Sequence, residues 1–237
     1  MEKALFLAAF FFAYTVQAIT GFAGNIFAMP VGTTLLGLES TVAVLNAMGV
    51  FACGLLAVTN LKSVNWRELG KMLSVMAVFM FVGIWLDTVM PLHVLLKLYG
   101  VVLVAIGAKN LLRPQTKFLP EWALWVVLAL AGLVQGMFVS GGALLVIYAV
   151  QKLRDRQQFR ITLSAVWTVL NFLYAVIAFR QGHYTGDVLQ VVALCIPLAV
   201  VATVLGSKLQ KRISQERFLK FTYVLILCIG GLLLVTG

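Results

Sequence analysis

The sequence predicts an all-α polytopic membrane protein, and three observations support this fold class. Hydrophobic residues make up 62% of the 237 residues, charged residues make up 11%, and the mean hydropathy is +1.03. Short polar connections separate eight apolar stretches, at 4–36, 41–61, 70–89, 92–112, 122–151, 161–179, 188–207 and 218–236. The 18 lysines and arginines lie mainly in the connections. So few charged residues cannot cover a soluble domain of this size, which excludes soluble enzymes and soluble binding modules.

Six of the stretches are close to the roughly 20 residues that cross a bilayer as one helix. The first and fifth are longer and are interrupted by glycines and polar residues, at 20–25 and at 140–142. Because glycine weakens a continuous helix, we expect both stretches to be broken and to form re-entrant hairpins. We interpret the first stretch as part of the mature chain, not as a cleaved signal peptide, because a similar region recurs near residue 140.

The second half of the chain repeats the first. A shift of 118 positions aligns Gln17 with Gln135, Gly24 with Gly142 and Asn46 with Ser164. A shift of 123 positions aligns Gly83 with Gly206 later in each half. The sequence therefore predicts a single transmembrane domain over 1–237, made of two repeats of four apolar segments at about 1–116 and about 120–237.

The distribution of lysine and arginine favours the re-entrant arrangement. If all eight stretches crossed the membrane, the 18 basic residues would divide 8 to 10 and give no orientation. If the first and fifth are re-entrant, Lys3, Lys97 and Arg180 lie outside and the other 15 face the cytoplasm, as the positive-inside rule requires. Making the fifth alone re-entrant gives 16 to 2, so the count leaves the first stretch open, and the duplication favours treating both alike. Three crossings in each half then make the halves an inverted repeat.

The two breaks are the candidate substrate site. A helix that restarts after a break presents backbone N–H groups without partners and the positive end of its dipole, which together favour an anion. Glycine at Gly24, Gly141 and Gly142 leaves room beside those groups. Close packing of membrane helices is the alternative reason for these glycines. We favour a substrate site because the glycines have polar neighbours at the same place in both halves.

Polar side chains around the breaks complete the candidate site. They are Gln17, Thr20 and Asn25 in the first half, Gln135 and Ser140 in the second, and Asn46 and Ser164 in the segments after the breaks. A carboxamide or hydroxyl deep in an apolar helix needs a hydrogen-bond partner. For Asn46 and Ser164 the sequence leaves open contact with a ligand and bonding between helices. For Thr168 and Asn171 it favours bonding between helices.

The sequence predicts no catalytic residues, no cofactor and no metal site. The eight acidic residues lie at segment ends or in loops, so none is placed to carry a proton near the membrane midplane. Intramembrane hydrolysis would need paired aspartates or a serine with a histidine at one depth, and neither pattern occurs. We interpret the isolated Cys53, Cys195 and Cys228 as packing residues. The net charge of +10 indicates topology and lipid contact, not nucleic-acid binding.

The motifs around the breaks resemble those of a known family. The resemblance is carried by QAITGFAGNIFAMPVG at 17–32, by VQGMFVSGGALLVIY at 134–148, by Val64-Asn65-Trp66, and by predicted turns at Gly83 and Gly206 before each half's last helix. Together they are similar to the sulfite exporter TauE/SafE family over nearly the whole chain. Asn25 stands beside Gly24 where that family commonly has a further glycine.

The resemblance implies a permease that moves small anions, notably sulfite and organosulfonates such as sulfoacetate, across the bacterial cytoplasmic membrane. We therefore expect alternating-access transport in which the glycines and polar side chains named above form a dipolar cradle for the anion. The alternatives are uptake of another small carboxylate or sulfur compound by the same fold, and a membrane scaffold with no transported substrate. The expected partners are the anion and membrane lipid, and the sequence leaves a monomer and a homodimer open.

Overall fold

Helices form nearly all of the described structure, which confirms the predicted all-α fold class. The computed structural model describes residues 2–87, 119–139, 141–212 and 214–236, with single positions between 97 and 111, and these residues contain no strand. The helices are α1 (Glu2–Thr20), α2 (Gly24–Leu36), α3 (Leu38–Val58), α4 (Trp66–Asp87), α5 (Glu121–Phe138), α6 (Gly142–Lys152), α7 (Arg156–Arg180), α8 (Gly186–Lys211) and α9 (Gln215–Thr236). The predicted stretch at 92–112 lies largely outside the described residues.

Length and composition make five of the described helices able to cross a membrane: α1, α3, α4, α7 and α8. At the N-termini of two of them, α7 and α8, a capping side chain accepts a hydrogen bond from a backbone N–H that has no carbonyl partner within the helix. The Asp155 carboxylate accepts a hydrogen bond from the N–H of Gln158 at 2.7 Å, and the Thr185 hydroxyl accepts one from the N–H of Val188 at 3.4 Å. These caps start α7 and α8 next to the polar connections that the sequence predicts.

The first and fifth apolar stretches are each divided into two helices, as their glycines predict. Residues 21–23 separate α1 from α2, and residues 139–141 separate α5 from α6. Helices α1 and α2 pack against each other. The re-entrant topology and the inverted repeat stay predictions.

The contacts within the chain divide it into two compact units, with the division inside α4. Unit 1 consists of Met1–Ser74 and Lys152–Arg212. In it α1 packs on α2 and α8, and α3 packs on α7 and α8. Its core includes Phe6, Phe10 and Tyr14, spaced four residues apart on α1, and the Phe10 and Tyr14 rings stack with their centroids 4.1 Å apart. This spacing puts all three rings on one face of the helix.

Unit 2 consists of Val75–Gln151 and Ile213–Gly237, and glycines bring its α4 and α5 into backbone contact. A Cβ placed on Gly132 would lie 2.6 Å from the carbonyl oxygen of Met76. A Cβ on Gly136 would collide with the carbonyl oxygen of Met80, and one on Gly83 with that of Leu133. Such contacts are typical of membrane helices, where small residues let backbones approach closely.

The sequence prediction of turns at Gly83 and Gly206 is wrong, because both residues lie inside helices. Gly83 is within α4 and Gly206 is within α8. A Cβ on Gly206 would lie 2.7 Å from the carbonyl oxygen of Thr15 and 2.6 Å from the Cβ of Ala18, both on α1. Here glycine provides close packing between helices and does not end a helix.

Candidate functional site

The first break joins the end of α1 to the start of α2. Gly21 has a φ of +86°, and its N–H donates to the carbonyl oxygen of Gln17 at 2.7 Å, so α1 ends on a left-handed residue. The Thr20 hydroxyl donates back to a carbonyl of α1 at 2.9 Å. It also accepts long hydrogen bonds from the N–H groups of Phe22 and Ala23, at 3.4 and 3.3 Å. Thr20 therefore organises the connecting residues.

The buried Gln17 side chain closes this break. Its Oε1 accepts a hydrogen bond from the N–H of Gly24 at 2.6 Å, and its Nε2 donates to the Sγ of Cys53 at 3.2 Å. One side chain on α1 thereby contacts the first residue of α2 and the body of α3. A Cβ on Gly24 would lie 2.7 Å from the Cβ of Gln17, so the room that glycine leaves there is occupied by Gln17 in this conformation.

The second break has a comparable arrangement in unit 2. Helix α5 is followed by Val139, whose φ of +50° and ψ of +32° are left-handed, and the Val139 N–H donates to the carbonyl oxygen of Gln135 at 3.0 Å. The Oε1 of the buried Gln135 accepts a hydrogen bond from the N–H of Gly141 at 3.2 Å. A Cβ on Gly141 would collide with the carbonyl oxygen of Ala131. Ser140 lies outside the described residues, and Gly142 begins α6.

The two breaks share a local design at positions 118 residues apart. Gly21 and Val139 are the left-handed residues, and each N–H donates to the carbonyl four residues earlier. Gln17 and Gln135 each accept a hydrogen bond from an amide near the start of the next helix, but these amides are 117 residues apart, because Gly24 is the first residue of α2 and Gly141 precedes α6 by one residue. A left-handed conformation is unfavourable for a β-branched residue such as Val139, so the surrounding structure must impose it.

Asn25 lies beside Gly24 and contacts α1. Its Oδ1 is 3.1 Å from the hydroxyl of Tyr14, which also lies 3.1 Å from the carbonyl oxygen of Leu45 on α3. The hydroxyl has one proton to share between these two acceptors. Asn25 is partly exposed, and it lies in the first turn of α2 beside the first break.

Asn46 is paired with other helices of unit 1. Its Nδ2 is 3.4 Å from Oδ1 of Asn171, and its Oδ1 accepts a hydrogen bond from the Tyr184 hydroxyl at 3.2 Å. The Tyr184 hydroxyl is a protonated donor at neutral pH, and burial raises its pKa further, to about 12. The sequence leaves two roles open for Asn46, contact with a ligand and bonding between helices, and in this conformation Asn46 bonds residues outside its own helix.

Ser164 bonds within its own helix. Its hydroxyl donates to the carbonyl oxygen of Arg160 at 2.9 Å, and the Thr168 hydroxyl donates to the carbonyl oxygen of Ser164 at 2.8 Å. Both are bonds to the residue four positions earlier, which polar residues in apolar helices commonly make. Gln17, Thr20, Gly24 and Asn25 are thus assembled at the first break. Ser164 on α7 lies beside it, because the Arg160 carbonyl oxygen that its hydroxyl bonds would be 3.0 Å from a Cβ placed on Gly21. Asn46 on α3 bonds Asn171 and Tyr184 instead.

The residue that sequence reasoning missed is Arg160. The positive-inside count places it in a cytoplasmic loop at 152–160, but it is the fifth residue of α7 and only 3% exposed. Its Nη1 donates to the carbonyl oxygen of Ala18 at 2.8 Å and lies 3.4 Å from the Ser207 hydroxyl. The signal that could have found it is a spacing of four, since Arg160, Ser164 and Thr168 continue one helical face.

All eight acidic residues lie near helix ends or in connections, as the sequence predicts. Glu68, in the first turn of α4, is buried and forms a salt bridge with Lys71 at 2.7 Å. A neutralised ion pair close to a helix end is suited to a structural role.

Comparison with known proteins identifies the family. A family model described as "Sulfite exporter TauE/SafE" matches residues 5–233. The chain is also 25% identical over 174 residues to a protein of Comamonas testosteroni named "Probable inner membrane transporter protein TsaS", and the match covers 72% of this chain and 73% of that protein. No solved structure matches the chain significantly. With helices long and apolar enough to cross a bilayer, the chain is a multi-pass protein of the inner membrane and belongs to the sulfite exporter TauE/SafE family of transporters.

Proposed function

We propose that the protein is a secondary permease that moves a small sulfur oxyanion, sulfite or an organosulfonate such as sulfoacetate, across the cytoplasmic membrane by alternating access. The family match over residues 5–233 supports the substrate class, and the name of the Comamonas protein supports membrane transport. The observation that carries the proposal is the pair of helix breaks, each closed by a buried glutamine.

The breaks suit an anion because each leads into the N-terminus of a helix, and the contacts of the described break residues include no carboxylate. The first N–H groups of a helix have no partner within it and carry the positive end of the dipole. Gln17 bonds the first of these groups in α2, the N–H of Gly24, which fixes the orientation of the turn that follows. The anion then binds the next amide, that of Asn25, with the Asn25 side chain beside it.

The second break has the same order of groups, placed one residue earlier relative to the start of its helix. Gln135 bonds the N–H of Gly141, so the next amide is that of Gly142 at the start of α6. Gly142 and Asn25 therefore have corresponding roles one residue after each glutamine-bonded amide. The glutamines hold the amide positions in advance, which lowers the free-energy cost of ordering the site on binding.

A flux experiment tests the proposed function. Purified protein in proteoliposomes is given gradients of sulfite, sulfoacetate, thiosulfate and acetate in both directions, with protein-free liposomes as the control. We expect flux of at least one sulfur oxyanion above the control. Flux of acetate alone would favour the carboxylate alternative. If the protein transports none of the four anions, and if none of them changes its melting temperature in detergent, the result would favour a membrane scaffold.

Two variants connect the flux to the breaks. Gly24→Leu and Gly142→Leu place a bulky side chain where each second helix begins, so we expect both proteins to insert and to lose transport. Gly142→Leu is the deciding variant, because a Cβ at Gly24 meets Gln17 and Gly24→Leu is expected to melt lower under either explanation. If packing alone explains the glycines, the melting temperature and the flux should fall together. Leucine variants that melt like the wild type and still bind the anion would contradict a site at the breaks.

A further inference from the structure

Arg160 is a buried cation without an acidic partner among the described residues. Its side chain is 3% exposed, and its hydrogen-bond partners among the described residues are a backbone carbonyl and a hydroxyl. Removing a charged side chain from water is costly unless other charges or hydrogen bonds compensate. Apolar neighbours cannot supply this compensation. The degree to which the buried charge is stabilised therefore depends on the polar atoms around the guanidinium.

The compensation present in this conformation involves one end of the guanidinium. The two hydrogen bonds that Arg160 makes to described residues both come from Nη1, to the carbonyl oxygen of Ala18 and to the Ser207 hydroxyl. Ala18 lies in the last turn of α1, where unpaired carbonyls carry the negative end of the helix dipole. Nε is buried and has no hydrogen-bond partner among the described residues. The edge formed by Nε and Nη2 is one of the edges with which arginine binds oxyanions through two parallel hydrogen bonds.

Arg160 lies directly against the first break. A Cβ placed on Gly21 would be 3.0 Å from the carbonyl oxygen of Arg160 and 3.4 Å from its Cγ, so the arginine side chain starts at the left-handed residue that ends α1. The position 118 residues earlier is Val42. The corresponding position in the first repeat is therefore uncharged, and the cation occurs only in the second repeat.

We propose that Arg160 is the charged binding residue for the transported anion at the first break, an inference that rests on the proposed function. The anion's oxygens accept hydrogen bonds from Nε and Nη2, while Nη1 keeps α1 in place through Ala18. Because Nε is buried in this conformation, the anion reaches it when the end of α1 or the start of α2 moves. Binding then supplies the negative charge that the guanidinium lacks, and this favours the occupied conformation.

The test compares anion affinity in three variants of the full-length protein in detergent. Arg160→Gln removes the charge, Arg160→Lys keeps the charge but loses the two-bond edge, and Arg156→Gln removes a charge one helical turn away from a partly exposed site. The dissociation constant for sulfite is measured by calorimetry, and the melting temperature is measured without ligand. We expect Arg160→Gln to weaken binding roughly 10- to 100-fold, Arg160→Lys to weaken it less, and Arg156→Gln to change it less than about threefold.

Two results would overturn the inference and leave the proposed function standing. One is an Arg160→Gln protein that binds sulfite like the wild type, which indicates a role in capping α1 alone. The other is an equal loss in Arg156→Gln, which indicates a general effect of positive charge. If the wild type binds and transports none of the anions, the proposed function fails and the inference fails with it.

Hydrogen exchange on the wild type decides the matter if the Arg160 variants do not fold. Sulfite should slow exchange in peptides that cover 17–25 and 156–164, because binding would order both sides of the first break. Protection in other peptides alone, with binding intact, would overturn the role of Arg160.

Discussion

Glycines that look alike in the sequence meet different requirements at the first break. Gly21 provides a left-handed φ of +86°, which side chains rarely adopt, and it also lies against the backbone of Arg160. Gly24 is the first residue of α2, and its lack of a side chain makes room for Gln17. Gly21 is needed for its backbone conformation and Gly24 for the space it leaves, so substitutions at the two positions should destabilise the protein for different reasons.

Loss of the Gln17 carboxamide should lower stability. In Gln17→Ala the buried N–H of Gly24 loses its acceptor, and leaving such a group unpaired costs about 1–3 kcal/mol. The matched control is Gln190→Ala, which removes an exposed glutamine from α8. Melting temperatures in detergent should fall for Gln17→Ala and stay near the wild type for Gln190→Ala. Equal changes in the two variants would contradict a closing role for Gln17.

Three glycine-to-alanine variants separate conformation from space. Gly70, inside α4 and exposed with nothing near its Cβ position, should gain about 0.5–1 kcal/mol of stability as alanine. Gly182 has a φ of +78° and open space, so alanine should cost about 1–2 kcal/mol. Gly21 combines positive φ with the Arg160 backbone, so its alanine variant should lose the most. Melting temperatures should rank the variants in that order. A Gly21→Ala protein as stable as Gly182→Ala would show that the contact with the Arg160 backbone adds no steric cost.

Arg160 illustrates which residue properties the sequence hides. The polar spacing of Arg160, Ser164 and Thr168 is visible in the sequence, but an arginine near a predicted segment end looks like a loop residue. Its burial depends on contact with α1, which is distant along the chain. Pairwise contacts of this kind come from the packing of helices, and no local pattern specifies them.

At the scale of elements, apolar length and interrupting glycines predicted most helices and both breaks. The prediction was wrong for Gly83 and Gly206, because a glycine that ends a helix and a glycine that brings two helices together look the same in one sequence. The distinguishing information is a carbonyl oxygen on a neighbouring helix. Only the arrangement of the helices reveals it.

The α4–α5 contact in unit 2 should be intolerant of single methyl groups. In Gly83→Ala and Gly136→Ala the added Cβ meets carbonyl oxygens of the other helix, so the helices must separate, and overpacking of this kind typically costs about 1–3 kcal/mol. Gly70→Ala in the same α4 is the control. We expect lower expression and lower melting temperature for the first two variants alone. Normal melting in either would show that the contact is looser than described.

At the scale of the whole molecule, composition was sufficient for the membrane class, and the motifs were sufficient for the family. Hydropathy succeeds here because a bilayer requires long apolar helices with internally paired backbones. The glycines and glutamines of the breaks were identified as candidates, but their mutual hydrogen bonds were not. Hydrogen bonds across a break depend on side-chain direction, which a one-dimensional pattern does not contain.

The predicted topology places the C-terminus outside the cytoplasm. The count from the sequence puts 15 of the 18 lysines and arginines on the cytoplasmic side, most of them in or next to the connections at 62–71, 109–121, 152–160 and 208–217. Fusions of alkaline phosphatase and of a fluorescent protein to the C-terminus should give an active phosphatase and a dark fluorophore. The same fusions after residue 155 should give the opposite result and serve as the reference. A fluorescent C-terminal fusion would contradict the topology.

Because Gln17 contacts the Cys53 thiol, the reactivity of that thiol should depend on whether the first break is open or closed. Cys53 is buried beneath the glutamine that closes the break, Cys195 is buried in the core of unit 1, and Cys228 is exposed. The rate of Cys53 alkylation by a small maleimide, taken relative to that of Cys228, therefore measures how often the break opens. A bound substrate that holds the break closed will slow this labelling, and the native protein can report on its own gating without any introduced label.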